Sequence, residues 1–192
     1  KKLAKSISDK NIDATIRGSL AASNVLKQLK ESYPKISRAT YIHGKGHEFI
    51  ISSVGIDEGN TLKEKLNIAV HCIDFMKKLK KTPKIATLSY ARPGDYGRSE
   101  EINQSLDDAK KLTQLIEKHT NQKIENSCVL IDQAIKNKCN ILIAPNGIVG
   151  NTIFRTLVLL NSWPSFGAIT FGIDDIYICL LYTSPSPRDR TR

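Results

Sequence analysis

The stretch that decides the fold is Asn140-Ile141-Leu142-Ile143-Ala144-Pro145-Asn146-Gly147, which is followed by a helical pattern through Leu160. Its apolar residues form a short continuous run bounded by turn residues, as expected of a buried strand. Pro-Asn-Gly indicates a turn, so this part of the sequence predicts a strand that turns directly into a helix. Strand–helix units of this kind are the building blocks of α/β proteins.

The same alternation occurs along the rest of the chain. Two β-like runs flank Gly44 and Gly46, which indicates a hairpin. We predict strands at residues 13–16, 38–42, 48–54, 84–88, 140–144, 166–171 and 174–178, and helices at 20–33, 61–83, 99–116, 128–135 and 147–160. This order predicts an α/β fold with a mostly parallel sheet and helices on both faces.

The composition narrows the class of protein. The 192 residues are 40% apolar, enough for one sizeable core or two small ones, and the formal charge is +10. We find no signal peptide and no apolar run of membrane-spanning length, and the four cysteines form no metal-binding or disulfide pattern. We therefore expect a cytoplasmic protein with reduced thiols, no metal site and no membrane partner.

The positive charge has two interpretations. Lysines at solvated helix ends explain much of it, and a basic protein also suits anionic ligands such as phosphate esters or coenzyme A. Aromatic residues make up only 6% of the chain, and no nucleic-acid reading motif is present, so we expect no nucleic-acid partner.

The last residues differ in character from the rest. Residues 179–189 read Cys-Leu-Leu-Tyr-Thr-Ser-Pro-Ser-Pro-Arg-Asp, the string that one frame of a transposon-based sequencing adapter encodes. We interpret residues 179–192 as an artificial tail, the alternative being a natural Ser/Pro linker. Because the sequence also opens at Lys1 without a methionine, we expect truncation at both ends.

Three predicted loops follow strands, where parallel sheets collect ligands. Arg17-Gly18-Ser19 offers a guanidinium, a hydroxyl and a close backbone approach to an anion, or else Arg17 is a surface residue beside a helix cap. The long loop from Ser89 to Ser99 contains Arg92 and Arg98 as anion donors, or is a flexible loop that ends in a cap.

The third loop is Pro145-Asn146-Gly147-Ile148-Val149-Gly150-Asn151-Thr152, with Arg155 one turn further along. A structural turn alone needs fewer special residues, so we predict that Gly150, Asn151 and Arg155 contact a ligand. A fourth candidate is Asp57-Glu58-Gly59, which is a metal-binding turn, the source of a base in Asp57, or an exposed acidic turn.

Three strings together carry a family resemblance: residues 13–20 (DATIRGSL), 54–59 (VGIDEG) and 150–157 (GNTIFRTL). They resemble the MtxX family, a methyltransferase-related marker of methanogenic archaea that is similar to the phosphate acetyl/butyryl transferases. Lys84-Ile85-Ala86-Thr87-Leu88-Ser89 is similar to the strand-plus-serine motif of those enzymes. Their final Asp-Leu-Ser-Arg motif, or Asp-Thr-Ser-Arg in MtxX, has no counterpart here, since Tyr177-Ile178 is followed by the tail.

The resemblance implies a phosphotransacetylase-like fold of two subdomains with a cleft between them. The first would comprise residues 1–37 and 160–178, and the second residues 38–159. In the transferases the cleft binds coenzyme A and an acyl phosphate, and no other cofactor is implied.

By this resemblance the catalytic candidates are Asp57, Ser89 and Asn151, and the ligand-binding candidates are Arg17, Gly18, Ser19, Arg92, Arg98, Gly150 and Arg155. Two functions stay open: an acyltransferase acting on a small anionic substrate, and a non-catalytic partner of methyltransferase subunits. Besides an assembly with methyltransferase subunits, a homodimer is expected.

Overall fold

The computed structural model describes residues 2–9, 12–16, 20, 22–44, 46–173 and 176–179. The helices are α1 (Lys2–Ser8), α2 (Ala22–Ser32), α3 (Leu62–Lys78), α4 (Glu100–Thr120), α5 (Ile131–Lys136) and α6 (Gly147–Phe154). The strands are β1 (Ala14–Ile16), β2 (Ser37–Gly44), β3 (His47–Ser52), β4 (Ile85–Leu88), β5 (Glu125–Cys128), β6 (Ile141–Ile143), β7 (Ser165–Phe171) and β8 (Ile176–Cys179). A 3₁₀ turn spans Pro93–Asp95, and α6 continues into a π-helical segment, Arg155–Leu160.

Within the described residues, eight strands form one sheet in the order β1-β8-β7-β2-β3-β6-β4-β5. The pairs β1–β8, β3–β6, β6–β4 and β4–β5 are parallel. The pairs β8–β7, β7–β2 and β2–β3 are antiparallel. Three of the four pairs that connect β1 to β3 are antiparallel, so β1 runs opposite to β3, β6 and β4. The carboxyl end of β1 therefore lies at the opposite edge of the sheet from the carboxyl ends of those three strands.

Helices cover both faces of the sheet. Because successive side chains of a strand point to opposite faces, Ile50 of β3 packs beneath α3 and α4, whereas Phe49 and Ile51 pack beneath α5 and α6. A third core lies between α1, α2 and the β7–β8 pair, around Leu29 and Tyr177. The three cores are formed mainly by apolar side chains that are less than a tenth exposed.

Local sequence explains where the two long helices begin. Thr61 and Glu64 form a capping box at the start of α3, in which each side chain satisfies a backbone N–H of the other residue. Ser99 caps α4, its hydroxyl accepting from the Ile102 N–H at 3.2 Å. At the far end of α4, Asn121 adopts a left-handed conformation that closes the helix.

The predicted fold class is confirmed: the sheet is mixed, four of its seven strand pairs are parallel, and helices lie on both faces. The predicted hairpin is present as β2–β3. The helix predicted at 128–135 is wrong in its first half, where β5 ends at Cys128, and α5 begins only at Ile131. The polar run Glu125-Asn126-Ser127 has little strand propensity of its own, and it becomes a strand by pairing with β4.

The sequence did not predict α1. The division into two subdomains stays a prediction. Of the predicted tail, residues 179–192, Cys179 is the last residue of β8, and residues 180–192 lie outside the described residues. No helix in the described part of the chain is long and apolar enough to cross a membrane.

Candidate functional site

Three loops meet at one edge of the sheet, at the carboxyl ends of β3, β6 and β4. They comprise residues 53–61, 144–146 and 89–99, and we call this region the β3–β6–β4 edge. Parallel strands bring their carboxyl ends together, and this is where ligands bind in open α/β sheets. The loops containing Asp57 and Ser89 are therefore neighbours, and Asn151 lies on α6, which follows β6. Their role in a binding site stays a prediction.

The first contact between these loops is a close approach of backbones. The Gly147 N–H donates to the Glu58 carbonyl at 2.9 Å. A Cβ on Gly147 would collide with the Gly55 carbonyl, and one on Gly150 would collide with the Ser53 carbonyl. Gly150, predicted as a ligand-binding residue, therefore has a packing role in this structure: it lets α6 lie directly against the β3 loop.

Asparagine side chains tie the loops together at two further points. The Asn151 amide, predicted to be catalytic, donates to the Val54 carbonyl at 3.0 Å. Asn146 caps α6 by accepting from the Val149 N–H at 2.9 Å, and its amide donates to the Tyr90 hydroxyl at 2.6 Å. Asn146 thus connects the α6 loop to the β4 loop.

The loop after β4 contains one buried hydroxyl and two exposed guanidinium groups. Ser89 is only 3% exposed, and its hydroxyl donates to the Ala91 carbonyl at 2.9 Å, so it shapes the loop rather than facing solvent. Arg98 and Arg92 contact opposite oxygens of the Asp95 carboxylate, at 3.0 and 3.7 Å, and both are more than 60% exposed. One carboxylate therefore orients both arginines and leaves most of their donors free for an anion.

The loop after β3 is held by three ion pairs, one of them between Arg38 and Asp57 at 3.5 Å. Glu58 is buried and accepts from the Arg38 side chain at 2.7 Å and from the Arg38 backbone N–H at 3.0 Å. Asp57 is exposed and pairs with Lys30 of α2 at 2.5 Å. The hydrogen bond from Lys30 holds the pKa of Asp57 below its usual range, which weakens this carboxylate as a general base.

The remaining predicted residues have different positions. Arg155 is exposed at the start of the π-helical segment. Arg17, Gly18 and Ser19 lie outside the described residues.

Sequence reasoning missed four residues that shape this edge: Arg38, Tyr90, Asp95 and Asn146. Asn146 had a readable signal, since an asparagine before a helix is a common cap. Arg38 and Glu58 are twenty residues apart in the chain, and no local pattern links them.

Two concave surfaces lie away from the predicted residues. An apolar groove of about 570 Å³ lies between α3 and the β7–β8 pair, with Phe75, Phe166, Phe171 and Tyr177 among its walls. A polar pocket of about 430 Å³ lies at the β2–β3 turn, beside His43, His47, Glu48 and Lys81. Among the described residues, no group of three or more His, Cys, Asp or Glu side chains has a metal-binding arrangement.

The fold defines the class of protein. The structure superimposes on a branched-chain phosphotransacylase from Enterococcus faecalis with a TM-score of 0.74, over 96% of this chain and 72% of that one, at 18% identity. At this identity the likeness concerns the fold alone. The chain therefore has the phosphotransacetylase-like fold.

Sequence comparison gives the family. No family model matches the chain. The chain is 36% identical over 182 residues to the Methanosarcina barkeri protein named "Putative methyltransferase mtx subunit X". The alignment covers 93% of this chain and 66% of the relative. It is also 33% identical over 176 residues to an uncharacterized methyltransferase of Methanocaldococcus jannaschii, in an alignment that covers 88% of this chain and 71% of the relative. The chain belongs to the MtxX family, and it spans 66% and 61% of the length of two Methanosarcina members.

Proposed function

We propose that the β3–β6–β4 edge binds a small anionic substrate of the acyl phosphate or coenzyme A type, and that the protein is an acyltransferase. The observation that carries the proposal is the arrangement of the β4 loop, where Asp95 pairs with two exposed arginines at the carboxyl end of the strand. Guanidinium groups are the usual partners of phosphate because their donors are fixed in a planar fork.

The fold supports the same choice of substrate. A phosphotransacylase of known structure shares this architecture over nearly the whole chain. In acyl transfer from an acyl phosphate, a thiolate attacks the carbonyl carbon, the thioester bond forms, and the carbon–oxygen bond to phosphate breaks. Negative charge develops on the carbonyl oxygen and remains on the departing phosphate, so preorganised cations stabilise the transition state.

The residues divide into two roles under this proposal. Arg92, Arg98 and Arg155 are the candidate donors to the anion. Ser89 and Asn151 hold the loop backbones in place through their hydrogen bonds to carbonyl groups, and they act on the substrate only through that geometry. We assign no base, since Lys30 lowers the pKa of Asp57.

The test is an assay of coenzyme A-dependent conversion of acyl phosphates of several chain lengths. It is made on this chain and, in parallel, on the Methanocaldococcus jannaschii relative. Turnover in either protein is expected, and in the active one the loss of a charge-assisted phosphate contact in Arg98→Gln should raise KM about tenfold or more. Lys136→Gln is the matched control, because Lys136 is equally exposed but lies on α5. Absence of turnover and of coenzyme A binding in both proteins, across all chain lengths, overturns the proposal.

A second candidate function is non-catalytic partnership with methyltransferase subunits. It is favoured by the name of the Methanosarcina relatives, which describes them as a methyltransferase subunit. Affinity purification of the tagged protein from a methanogen should recover a methyltransferase subunit in stoichiometric amount. Recovery of the tagged protein alone counts against this function.

A further inference from the structure

Lysines collect at the edge of the sheet opposite to the β3–β6–β4 edge. The strands β3, β6, β4 and β5 are parallel, so their amino ends meet there, and the helices α3, α4 and α5 end there. We call this region the amino edge, and it comprises residues 77–84, 117–124 and 136–140. These segments contain nine lysines, one glutamate and no arginine, and every lysine is exposed except the half-buried Lys81. The glutamate, Glu117, accepts from the Ile124 N–H at 3.0 Å.

The helix dipole accounts for only some of these lysines. A lysine in the last turn of a helix stabilises the partial negative charge there, which explains Lys77 and Lys118. Four others lie beyond the helix ends, in the loops that lead to the next strands. They are Lys80, Lys84, Lys123 and Lys138. Within the described part of the chain none of the four takes part in an ion pair, so their charges face solvent uncompensated.

Two of the four loop lysines occupy backbone positions that favour glycine. Lys80 follows α3 with a φ of 57°, and Lys138 follows α5 with a φ of 62°. Glycine is usual directly after a helix, because other residues are strained in the left-handed conformation. A charged side chain is thus present where the fold alone would be better served by glycine, which indicates a role other than folding.

A concave site adjoins these lysines. The polar pocket of about 430 Å³ at the β2–β3 turn is lined by Lys81, Thr82 and Asn140 of the amino edge, together with His43 and Glu48. The Glu48 carboxylate is already paired with Lys81, so the pocket adds no uncompensated negative charge to the edge. A side chain of a partner can therefore enter the pocket while the surrounding lysines contact the partner's surface.

We infer that the amino edge is a docking surface for an acidic protein partner. Complementary charge steers two proteins together and sets their orientation, and it weakens as salt increases. A nucleic acid is disfavoured as the partner, because these segments contain no arginine to hold phosphates and no phenylalanine, tyrosine or tryptophan to stack on bases. The inference does not depend on either candidate function, and a partner docked here leaves the β3–β6–β4 edge accessible to a substrate.

The test titrates a short polyglutamate peptide into the intact, isotope-labelled chain and follows the backbone amide signals by NMR. The signals that shift should belong to the amino edge, and added salt should release the peptide. In the double variant Lys80→Gly with Lys138→Gly the Kd for the peptide should rise about fivefold, the loss of two exposed charge pairs. This variant should be about as stable as the wild type, since glycine suits the positive φ at both positions.

The matched control is Lys110→Gln with Lys111→Gln, which removes the same charge from the exposed middle of α4 and should leave the Kd unchanged. Peptide binding that the Lys80 and Lys138 variant does not weaken, or signals that shift at the β3–β6–β4 edge instead, overturns the inference. A single-stranded oligothymidine of equal charge is titrated in parallel. If it binds more tightly than the peptide through the same lysines, the surface is one for nucleic acid and the inference is wrong.

The outcomes also separate this inference from the proposed function. Arg98→Gln lies at the opposite edge and should not change the affinity for the peptide; a weakened affinity in this variant counts against the amino edge. Failure of acyl transfer with peptide binding retained refutes only the proposed function. Acyl transfer without peptide binding refutes only the docking surface.

Discussion

Replacing Gly150 by alanine distinguishes a packing role from a ligand-binding role at this position. The added methyl group would lie well inside van der Waals contact of the Ser53 carbonyl, an atom of the backbone that cannot turn aside as a side chain can. Overpacking of this kind costs about 3 kcal/mol, and the higher helix propensity of alanine returns about 1 kcal/mol, so the net loss should be about 2 kcal/mol. For a chain of this size the melting temperature should then fall by about 4–8 °C.

The assay is urea unfolding followed by circular dichroism at neutral pH, with Gly94→Ala as the matched control. Gly94 lies in the same edge region, but a Cβ there would meet no atom within 4 Å, so this variant should be as stable as the wild type. If Gly150→Ala is as stable as Gly94→Ala and loses only ligand affinity, then the packing argument is wrong and the ligand-binding role predicted from sequence is right.

Three further predictions concern ionisable groups. Glu58→Gln should cost about 3 kcal/mol in the free energy of unfolding, because it breaks the ion pair between the buried Glu58 and the largely buried Arg38, whereas Asp57→Asn, at an exposed pair, should cost less than about 1 kcal/mol; equal losses in urea unfolding would refute the distinction. The hydrogen bond from Lys81 lowers the pKa of Glu48 in the folded protein. The ionised Glu48 therefore stabilises the fold above its unfolded-state pKa of about 4.3, and this stabilisation is lost as the pH falls through the folded-state pKa. The difference in the free energy of unfolding between wild type and Glu48→Gln should narrow from pH 7 to about pH 3, and a constant difference contradicts this. Burial, with Glu125 nearby, raises the pKa of the Cys139 thiol to about 12. This thiol should therefore react with a disulfide reagent at pH 8 only after the protein unfolds. Rapid labelling of Cys139 in the folded protein, located by mass spectrometry, would contradict this prediction.

Much of the fold could be predicted from the sequence because the signals are local. The run Ile141–Ile143 is apolar and bounded by turn residues, and α3 has regular apolar spacing behind its Thr61 cap. These elements form where the pattern places them. The strand β5 could not be predicted, since Glu125–Cys128 is polar and its conformation depends on pairing with β4.

The candidate site was predictable only in part. Strand–helix order places the loops after β6 and β4 at neighbouring strand ends, whereas Asn151, predicted in a loop, lies on α6. Which atoms those side chains contact depends on packing between loops that are far apart in sequence, such as the donation from Asn151 to Val54. The buried Arg38–Glu58 pair has the same origin and gives no sequence signal.

The pairing of β1 with β8 has a consequence for the order of events during synthesis. Ala14 lies beside Ile176, so β1 pairs with β8, a strand from the other end of the described residues that is made much later. At typical translation rates of about 5–20 residues per second, β1 leaves the ribosome on the order of ten seconds before β8 exists. The β3–β6–β4–β5 half of the sheet is complete well before then, so a nascent chain should protect that half from proteolysis while β1 still lacks a neighbour.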